Sequence, residues 1–265
     1  MRCALIAITT LLVPSPGLGQ LAGPNDRGVA FNHVHLRVAD LDLHKALWVG
    51  LLDGVLIEKA GYTAVQIPGA LIFFTEQEPS APSVGTTVDH VGFKVRDLEA
   101  ALGWWRDQGH TVVDEWSGGE GLPQAYVTMP NGTRVELTGD SALPESSEMH
   151  HVHHYSSRPQ ELLDWYVEVF GGVPRTRGTI QTTADVPGTN LSFAESESVS
   201  PTKGTAIDHI GFEVEDIDAF AGTLKERGVE FEVEPFYVES LDIWVAFFFD
   251  PAGTRVEISQ GLNTF

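Results

Sequence analysis

The stretch DHVGFKVRDLEA, residues 89–100, returns as DHIGFEVEDIDA, residues 208–219, with seven of twelve positions identical. PNGTRVEL, residues 130–137, returns as PAGTRVEI, residues 251–258, with six of eight identical. The two offsets are 119 and 121 residues. Self-similarity at one period is the sequence signature of repeated structural units. The chain therefore predicts a tandem duplication with a half-length of about 120 residues.

Each half divides again into two similar quarters. Every quarter opens with an alternating, strand-like stretch: FNHVHLRV from Phe31, VDHVGFKV from Val88, MHHVHHYS from Met149 and IDHIGFEV from Ile207. A capping residue and an amphipathic helix follow, with the caps expected at Asp40, Asp97, Ser157 and Asp216. Two or three short strands then close the quarter. The pattern predicts an α+β fold of four βαβββ modules, in two tandem domains at residues 28–140 and 148–262.

The N-terminus has a different character. Arg2 precedes an apolar run from Cys3 to Val13, and small residues, Pro and Gly follow up to Gly19. This order is typical of a secretory signal peptide, which predicts cleavage after residue 19 and export to the periplasm or the extracellular space. Cys3 is the only cysteine, so the mature chain would contain no thiol and no disulfide.

Charge and hydropathy limit the classes of partner that we expect for this protein. The formal net charge is −21, with 37 acidic against 16 basic residues. A strongly negative field repels polyanions, so neither nucleic acid nor an anionic membrane surface is an expected partner. Outside the first 20 residues no segment reaches membrane-spanning length. We expect a small-molecule substrate and a monomer or homodimer.

Four βαβββ modules, first strands with a His-Val or His-Ile pair, and PxGTRVE near the end of two modules resemble the vicinal oxygen chelate superfamily. This superfamily includes glyoxalase I, extradiol dioxygenases, and fosfomycin- and bleomycin-resistance proteins. The resemblance covers nearly the whole mature chain. It implies tandem glyoxalase-like domains and a divalent metal held in a half-open cup of sheet.

The resemblance also implies the metal ligands. They map onto His33, His90 and Glu136 in the first half, and onto His151, His209 and Glu257 in the second half. The His-to-Glu separations within the repeated segments are 46 and 48 residues. Two histidines and one carboxylate suit a divalent first-row ion, with Fe(II) or Mn(II) favoured and Zn(II) or Ni(II) also compatible. Whether both sites hold metal is left open by the sequence.

Strand periodicity adds two more histidines to these sites. Side chains two residues apart lie on one face of a strand, so His35 lies beside His33, and His153 beside His151. We predict catalytic roles in proton transfer for His35 and His153. The alternative is that both merely line a polar cavity.

Several reactions remain open within the superfamily. Glyoxalase I has a second carboxylate ligand at positions that map near Phe73 and Phe193, which counts against that chemistry. Extradiol dioxygenases carry a tyrosine where this chain has Phe247, four residues before the Pro of the second PxG motif. We expect a metal-dependent enzyme that chelates a small oxygen-rich substrate, with ring-cleaving dioxygenation leading. A glyoxalase-like lyase or isomerase and a non-catalytic, bleomycin-resistance-like binding protein are the alternatives.

Overall fold

The computed structural model describes residues 21–265. The predicted signal segment, residues 1–19, lies outside the described residues. Among the helices of residues 21–265, none has both the length and the hydropathy to cross a bilayer.

The described chain consists of four consecutive βαβββ modules, which confirms the predicted fold class. Module 1 contains β1 (Val29–Val38), α1 (Leu41–Leu52), β2 (Val55–Lys59), β3 (Tyr62–Ile67) and β4 (Ala70–Glu76). Module 2 contains β5 (Val88–Val95), α2 (Leu98–Asp107), β6 (Val112–Ser117), β7 (Pro123–Thr128) and β8 (Arg134–Gly139). Module 3 contains β9 (Ser147–Ser156), α3 (Pro159–Phe170), β10 (Val173–Arg177), β11 (Ile180–Val186) and β12 (Thr189–Glu195). Module 4 contains β13 (Ile207–Val214), α4 (Ile217–Glu226), β14 (Phe231–Val238), β15 (Ile243–Phe249) and β16 (Arg255–Gln260), and a 3₁₀ turn (Leu262–Thr264) follows.

The modules pair across the two halves of the sequence. One eight-stranded sheet has the order β14-β15-β16-β13-β1-β4-β3-β2, which joins modules 4 and 1. The other has the order β10-β11-β12-β9-β5-β8-β7-β6, which joins modules 3 and 2. Each joint is an antiparallel pair of first strands, β1 with β13 and β5 with β9. The ranges 28–140 and 148–262 therefore describe the repeat in the sequence, while each sheet takes one module from each range.

The helix N-caps predicted from the sequence are confirmed at three of the four positions. The carboxylates of Asp40, Asp97 and Asp216 each accept a hydrogen bond from a backbone N–H in the first turn of their helix. The predicted cap Ser157 is wrong, because α3 has Arg158 as its N-cap residue, without a side-chain cap. Pro159 occupies the first turn there, where proline's missing N–H and fixed φ are well tolerated.

One main apolar core joins both sheets and all four helices. Trp48 on α1, Trp105 on α2 and Phe212 on β13 are fully buried members of it. Tyr166 on α3 is buried too, and its hydroxyl donates to the carboxylate of Asp250 after β15. Since α3 belongs to one sheet and β15 to the other, this contact helps to fix the two sheets against each other.

Candidate metal centres

The predicted grouping of ligands by half is wrong. Because β1 pairs with β13 and not with β5, His33 meets His209 and Glu257. The other set, on the β5–β9 pair, contains His90, Glu136 and His151. All four first strands carry similar motifs, so the repeat pattern could not decide which modules pair. We name the two places the β1/β13 site (His33, His209, Glu257) and the β5/β9 site (His90, His151, Glu136).

In the β1/β13 site the three donor side chains converge. His209 Nε2 lies 3.0 Å and His33 Nε2 lies 3.6 Å from the same carboxylate oxygen, Glu257 Oε2. The two imidazole centroids are 5.5 Å apart. Both Nε2 atoms thus face one carboxylate.

The β5/β9 site repeats this geometry. His90 Nε2 and His151 Nε2 are 3.3 Å apart. Their distances to the two oxygens of Glu136 are 3.5 and 3.8 Å. The imidazole centroids are 5.3 Å apart, close to the spacing in the first site.

These donor sets fit a single divalent ion. Ligand atoms that each bind one ion at about 2.1 Å lie roughly 3 to 3.5 Å from one another, and the donor separations in the two sets are 3.0 to 3.8 Å. His33 Nε2 is buried without a hydrogen-bond partner among the described residues, an unsatisfied state that a bound ion would relieve. Two imidazoles and one carboxylate form a facial set that leaves coordination positions open for substrate oxygens.

A β-bulge precedes each of the four histidines. The antiparallel registers skip Asn32 and Asp208 in one sheet and Asp89 and His150 in the other. Each skipped residue comes directly before a ligand histidine. A bulge re-aims side chains that regular alternation would send to opposite faces, and each skipped residue reaches Nδ1 of the following imidazole. Each Nδ1 is thus occupied, which leaves Nε2 as the ring nitrogen that can bind an ion.

Carboxylates and arginines hold two of these rings. Asp89 lies 2.8 Å from His90 Nδ1, and Arg134 donates to the same carboxylate oxygen at 2.9 Å. In the other site, Asp208 lies 2.7 Å from His209 Nδ1. Arg37 and Arg255 both donate to Asp208. Such partners fix the ring orientation and the tautomer of a metal-binding histidine.

His151 is held by a longer chain of polar contacts. Its Nδ1 lies 3.3 Å from His150 Nδ1, and His150 Nε2 lies 3.2 Å from Glu120 Oε2. Arg177 in turn donates to Glu120 at 3.1 Å. For His151 to present Nε2 to an ion, its Nδ1–H donates to His150, and His150 Nε2–H donates to Glu120. We call His150, Glu120 and Arg177 the relay.

Two glycines make room for the rings. A Cβ added to Gly92 would lie 2.1 to 2.8 Å from atoms of the His151 imidazole. A Cβ added to Gly211 would lie 2.0 to 2.6 Å from the His33 imidazole. These distances are far below van der Waals contact, so only glycine lets the ring cross the neighbouring strand.

Local electrostatics favour a charged carboxylate and act in opposite directions on the pKa values of the ligand imidazoles. Burial would raise the pKa of Glu257, but the adjacent His33 and His209 outweigh it and hold that pKa well below its usual range. Burial lowers the pKa of His33 and of His151. For His209, burial lowers the pKa, but hydrogen bonds to Asp208 and Glu257 raise it above the ordinary value.

The two predicted catalytic histidines lie beside the ligands. His35 stands 4.5 Å from His209 between ring centroids, and its Nε2 lies 2.8 Å from Thr75 Oγ1. His153 stands 4.5 Å from His90, but its Nε2 has no hydrogen-bond partner among the described residues. Burial lowers the pKa of both imidazoles well below the ordinary value. His153 is thus the neutral imidazole with a nitrogen left to accept a proton.

Each site opens into its own cavity. The cavity at the β1/β13 site has about 350 Å³, and aromatic and aliphatic side chains form most of its wall. The cavity at the β5/β9 site has about 390 Å³, and Arg177, Asp114 and Gln124 line it together with Glu136. Both volumes lie in the range of small-ligand pockets, roughly 300 to 1,000 Å³.

One position predicted from the sequence is wrong, and one residue of the site was not predicted. Strand pairing sets Phe73 beside His35 but Ser192 beside His153, so Ser192, not Phe193, is the counterpart of Phe73. Phe193 instead stacks on His154 in the core. The predicted absence of a carboxylate at these two positions holds.

The missed residue is Tyr126. It pairs with Glu136 as Phe247 pairs with Glu257, and its ring lies 5.2 Å from His90. Burial and the charge of Glu136 raise the pKa of Tyr126 well above its ordinary value, so its hydroxyl stays a donor. The signal was present in the sequence, because Tyr126 stands four residues before Pro130 as Phe247 stands four before Pro251.

Comparison with known proteins agrees with this architecture. Glyoxalase I from Zea mays superposes with a TM-score of 0.68 at 17% identity, covering 89% of this chain and 94% of that one. A putative dioxygenase from Bacillus subtilis superposes with a TM-score of 0.65 at 11% identity, covering 92% of this chain and 86% of that one. No curated protein sequence matches the chain.

A family model matches the second half of the sequence. It describes the Glyoxalase/Bleomycin resistance protein/Dioxygenase superfamily and covers residues 148–258. That segment begins with β9 and ends within β16, so it contains modules 3 and 4 and the ligands His151, His209 and Glu257. The segment 148–258 is thus similar to the Glyoxalase/Bleomycin resistance protein/Dioxygenase superfamily, in a chain whose two eight-stranded sheets are built from four modules of one kind.

Proposed function

We propose that this protein is a metal-dependent enzyme with two divalent-metal centres, which binds a small oxygen-rich substrate through two of the substrate's oxygens. One observation carries the proposal: two His-His-Glu sets converge with donor separations of 3.0 to 3.8 Å, each behind a bulge that frees Nε2. A purely structural histidine would not need this arrangement twice.

We further propose ring-cleaving dioxygenation at the β5/β9 site. A divalent ion there supplies Lewis acidity and, if it is iron or manganese, activation of dioxygen. His153 Nε2 accepts a proton from a substrate hydroxyl, since it has no other hydrogen-bond partner among the described residues. Tyr126 donates a hydrogen bond to a substrate oxygen from the cavity wall. At the β1/β13 site, Phe247 has no donor and His35 already contacts Thr75, so we propose weaker ring cleavage there.

Metal content tests the first part of the proposal. We expect about two divalent ions per chain after anaerobic purification without chelators. The His90→Ala and His209→Ala variants should each retain about one ion, and the double variant none. A double variant that binds metal and substrate as the parent does would exclude the proposal.

Oxygen uptake with catechols tests the reaction. We expect uptake with the parent and with His209→Ala, which keeps the β5/β9 site, and loss of most uptake with His90→Ala. Metal-loaded protein that binds catechols without consuming oxygen would exclude dioxygenation while leaving the metal centres in place.

We also propose that the protein is exported. The support is the apolar run after Arg2 and the small residues up to Gly19. Mass spectrometry of protein recovered from the periplasm or the medium should find a chain that begins at residue 20. Recovery of only the uncleaved chain, inside the cell, would exclude export.

A further inference from the structure

The cavity at the β1/β13 site offers an apolar wall beyond its ligands. Phe73, Val245, Phe247 and Leu262 line it, among others, and none of its described lining residues is a lysine or an arginine. A carboxylate buried against such a wall would lose its hydration without gaining a partner, which is costly. An apolar group would instead be removed from water favourably.

The cavity at the β5/β9 site contains a buried cation. Arg177 lines this cavity although its side chain is only 2% exposed. It donates to Glu120 and to Ser192, but its Nε–H has no acceptor among the described residues. A buried guanidinium N–H without an acceptor costs free energy, and a carboxylate is its strongest acceptor.

The corresponding places in the two sites have opposite chemistry. Ser192, which accepts from Arg177, stands where the β1/β13 site has Phe73. Gln124, which donates to Glu136 at 2.7 Å, stands where the β1/β13 site has Val245. Polar side chains thus replace apolar ones at matched positions around a similar donor set.

We propose that the two centres select different substrates. The β1/β13 site takes a chelating ligand whose remaining surface is apolar, and the β5/β9 site takes one that carries a carboxylate, held by Arg177. The inference rests on the proposed function, because each ligand is placed by its two chelating oxygens.

Two catechols that differ in one group test the inference. 4-tert-Butylcatechol and 3,4-dihydroxybenzoate share the chelating hydroxyls, and only the second carries a carboxylate. Calorimetric titration of zinc-loaded protein measures binding without redox chemistry, since zinc is redox-inert. The His90→Ala variant leaves the β1/β13 site, and the His209→Ala variant leaves the β5/β9 site.

We expect the His90→Ala protein to bind 4-tert-butylcatechol at least about ten-fold more tightly than 3,4-dihydroxybenzoate, and the His209→Ala protein to show the reverse order, as expected for one desolvated charge gained or lost. The same order of affinities in both proteins would overturn the inference while leaving the proposed function intact. Failure of both proteins to bind zinc or either catechol would overturn the proposed function, and the inference with it.

Variants assign the selectivity to residues. In the His209→Ala background, with zinc in excess to offset the weaker metal binding expected when the relay loses Arg177, Arg177→Met should abolish the preference for the carboxylate, and Arg177→Lys should retain part of it. In the His90→Ala background, Leu241→Ala should weaken binding of 4-tert-butylcatechol, because Leu241 lines that cavity and is buried. A carboxylate preference that survives Arg177→Met would exclude Arg177 as its cause. The reversed order of catechol affinities in the His90→Ala and His209→Ala proteins is measured with Arg177 intact. It therefore tests the different selectivity of the two sites independently of the Arg177 variants.

Discussion

The β1/β13 and β5/β9 sites are two copies of one His-His-Glu arrangement with different surroundings. The centroids of the two candidate ligand imidazoles are 5.5 Å apart at the β1/β13 site and 5.3 Å apart at the β5/β9 site. In both sites the ring of the neighbouring histidine, His35 or His153, lies 4.5 Å from the ligand ring on the partner strand. Around this shared frame, Asn32 corresponds to His150, Phe73 to Ser192, and Phe247 to Tyr126. The positions of the three donor side chains are restricted because all three must reach one point. Residues that contact these side chains can differ between the sites without moving the donors.

The largest expected effect comes from the glycines under the ligand rings. Gly92→Ala should displace the His151 ring and weaken metal binding at the β5/β9 site by about 100-fold or more, the loss expected when a ligand is misplaced. Gly211→Ala should do the same to His33 and the β1/β13 site. Metal titration with stoichiometry measures both effects.

A matched control separates this effect from a general cost of alanine. A Cβ added to Gly103 on α2 would meet no neighbouring side chain or strand within 4 Å, so Gly103→Ala should leave both sites intact and stabilise the helix by about 0.5 to 1 kcal/mol. If Gly92→Ala also removed metal from the β1/β13 site, the two sites would not be independent copies.

The second-largest effect on metal binding is expected from the relay, which is part of the β5/β9 site alone. Glu120→Gln should weaken metal binding at the β5/β9 site by about 10- to 100-fold, as for loss of an outer partner of a ligand histidine. The β1/β13 site should not change, because His33 there meets Asn32 directly. Glu197→Gln, at an exposed glutamate far along the chain, is the control.

A double-mutant cycle tests whether His150 transmits the effect of Glu120. His150→Asn copies the Asn32 arrangement, so His151 would meet the amide directly. In that background Glu120→Gln should have little further effect on metal affinity. Additive losses from the two substitutions would contradict the relay, since independent sites add.

The sequence predicted the modules well because their signals are local. Alternation, aspartate caps and repeated turns all lie within about 60 residues, and all four βαβββ modules are present. Which modules share a sheet is a long-range choice among four similar first strands, β1, β5, β9 and β13. Nothing in one strand's pattern identifies the strand that pairs with it, so the repeat predicts a grouping of ligands by half, whereas the candidate ligands meet across halves.

The sequence predicted only those site residues whose side-chain direction follows from the regular alternation of a strand. The six candidate ligands lie in two clusters, each with its neighbouring histidine beside it. The pattern of single strands indicates no role for Asn32, Asp89, His150 and Asp208. Alternation sends adjacent side chains to opposite faces, and only the bulges bring these residues back to the ligand side. A bulge depends on the register of two paired strands, which one strand's sequence does not contain.

The third test concerns Tyr126 and Phe247. Tyr126→Phe should lower kcat for catechol oxidation by about ten-fold or more, because it removes a hydrogen-bond donor from the cavity wall, while metal stoichiometry stays unchanged. Phe247→Tyr should raise the low activity of the β1/β13 site in the His90→Ala background. Equal activity of parent and Tyr126→Phe would remove Tyr126 from the mechanism and leave the two sites chemically closer than proposed.

The smallest expected effect is the pH dependence of stability that Glu120 adds to one site. Its hydrogen bond to His150 outweighs burial and holds the pKa of Glu120 near 2, below its ordinary 4.5. A lowered folded-state pKa means that the unfolded chain takes up the proton first, so the contribution of Glu120 is complete above about pH 4.5 and disappears as the pH falls toward 2. Urea unfolding of metal-free protein should therefore show parent and Glu120→Gln differing most near neutral pH and converging between pH 4.5 and 2. Asn32, the counterpart of His150, has no ionising group of its own to add such a pH dependence to the β1/β13 site. A constant difference between parent and Glu120→Gln would mean that Glu120 is not held as a charged partner of His150 and Arg177, and the two sites would then differ in composition but not in electrostatics.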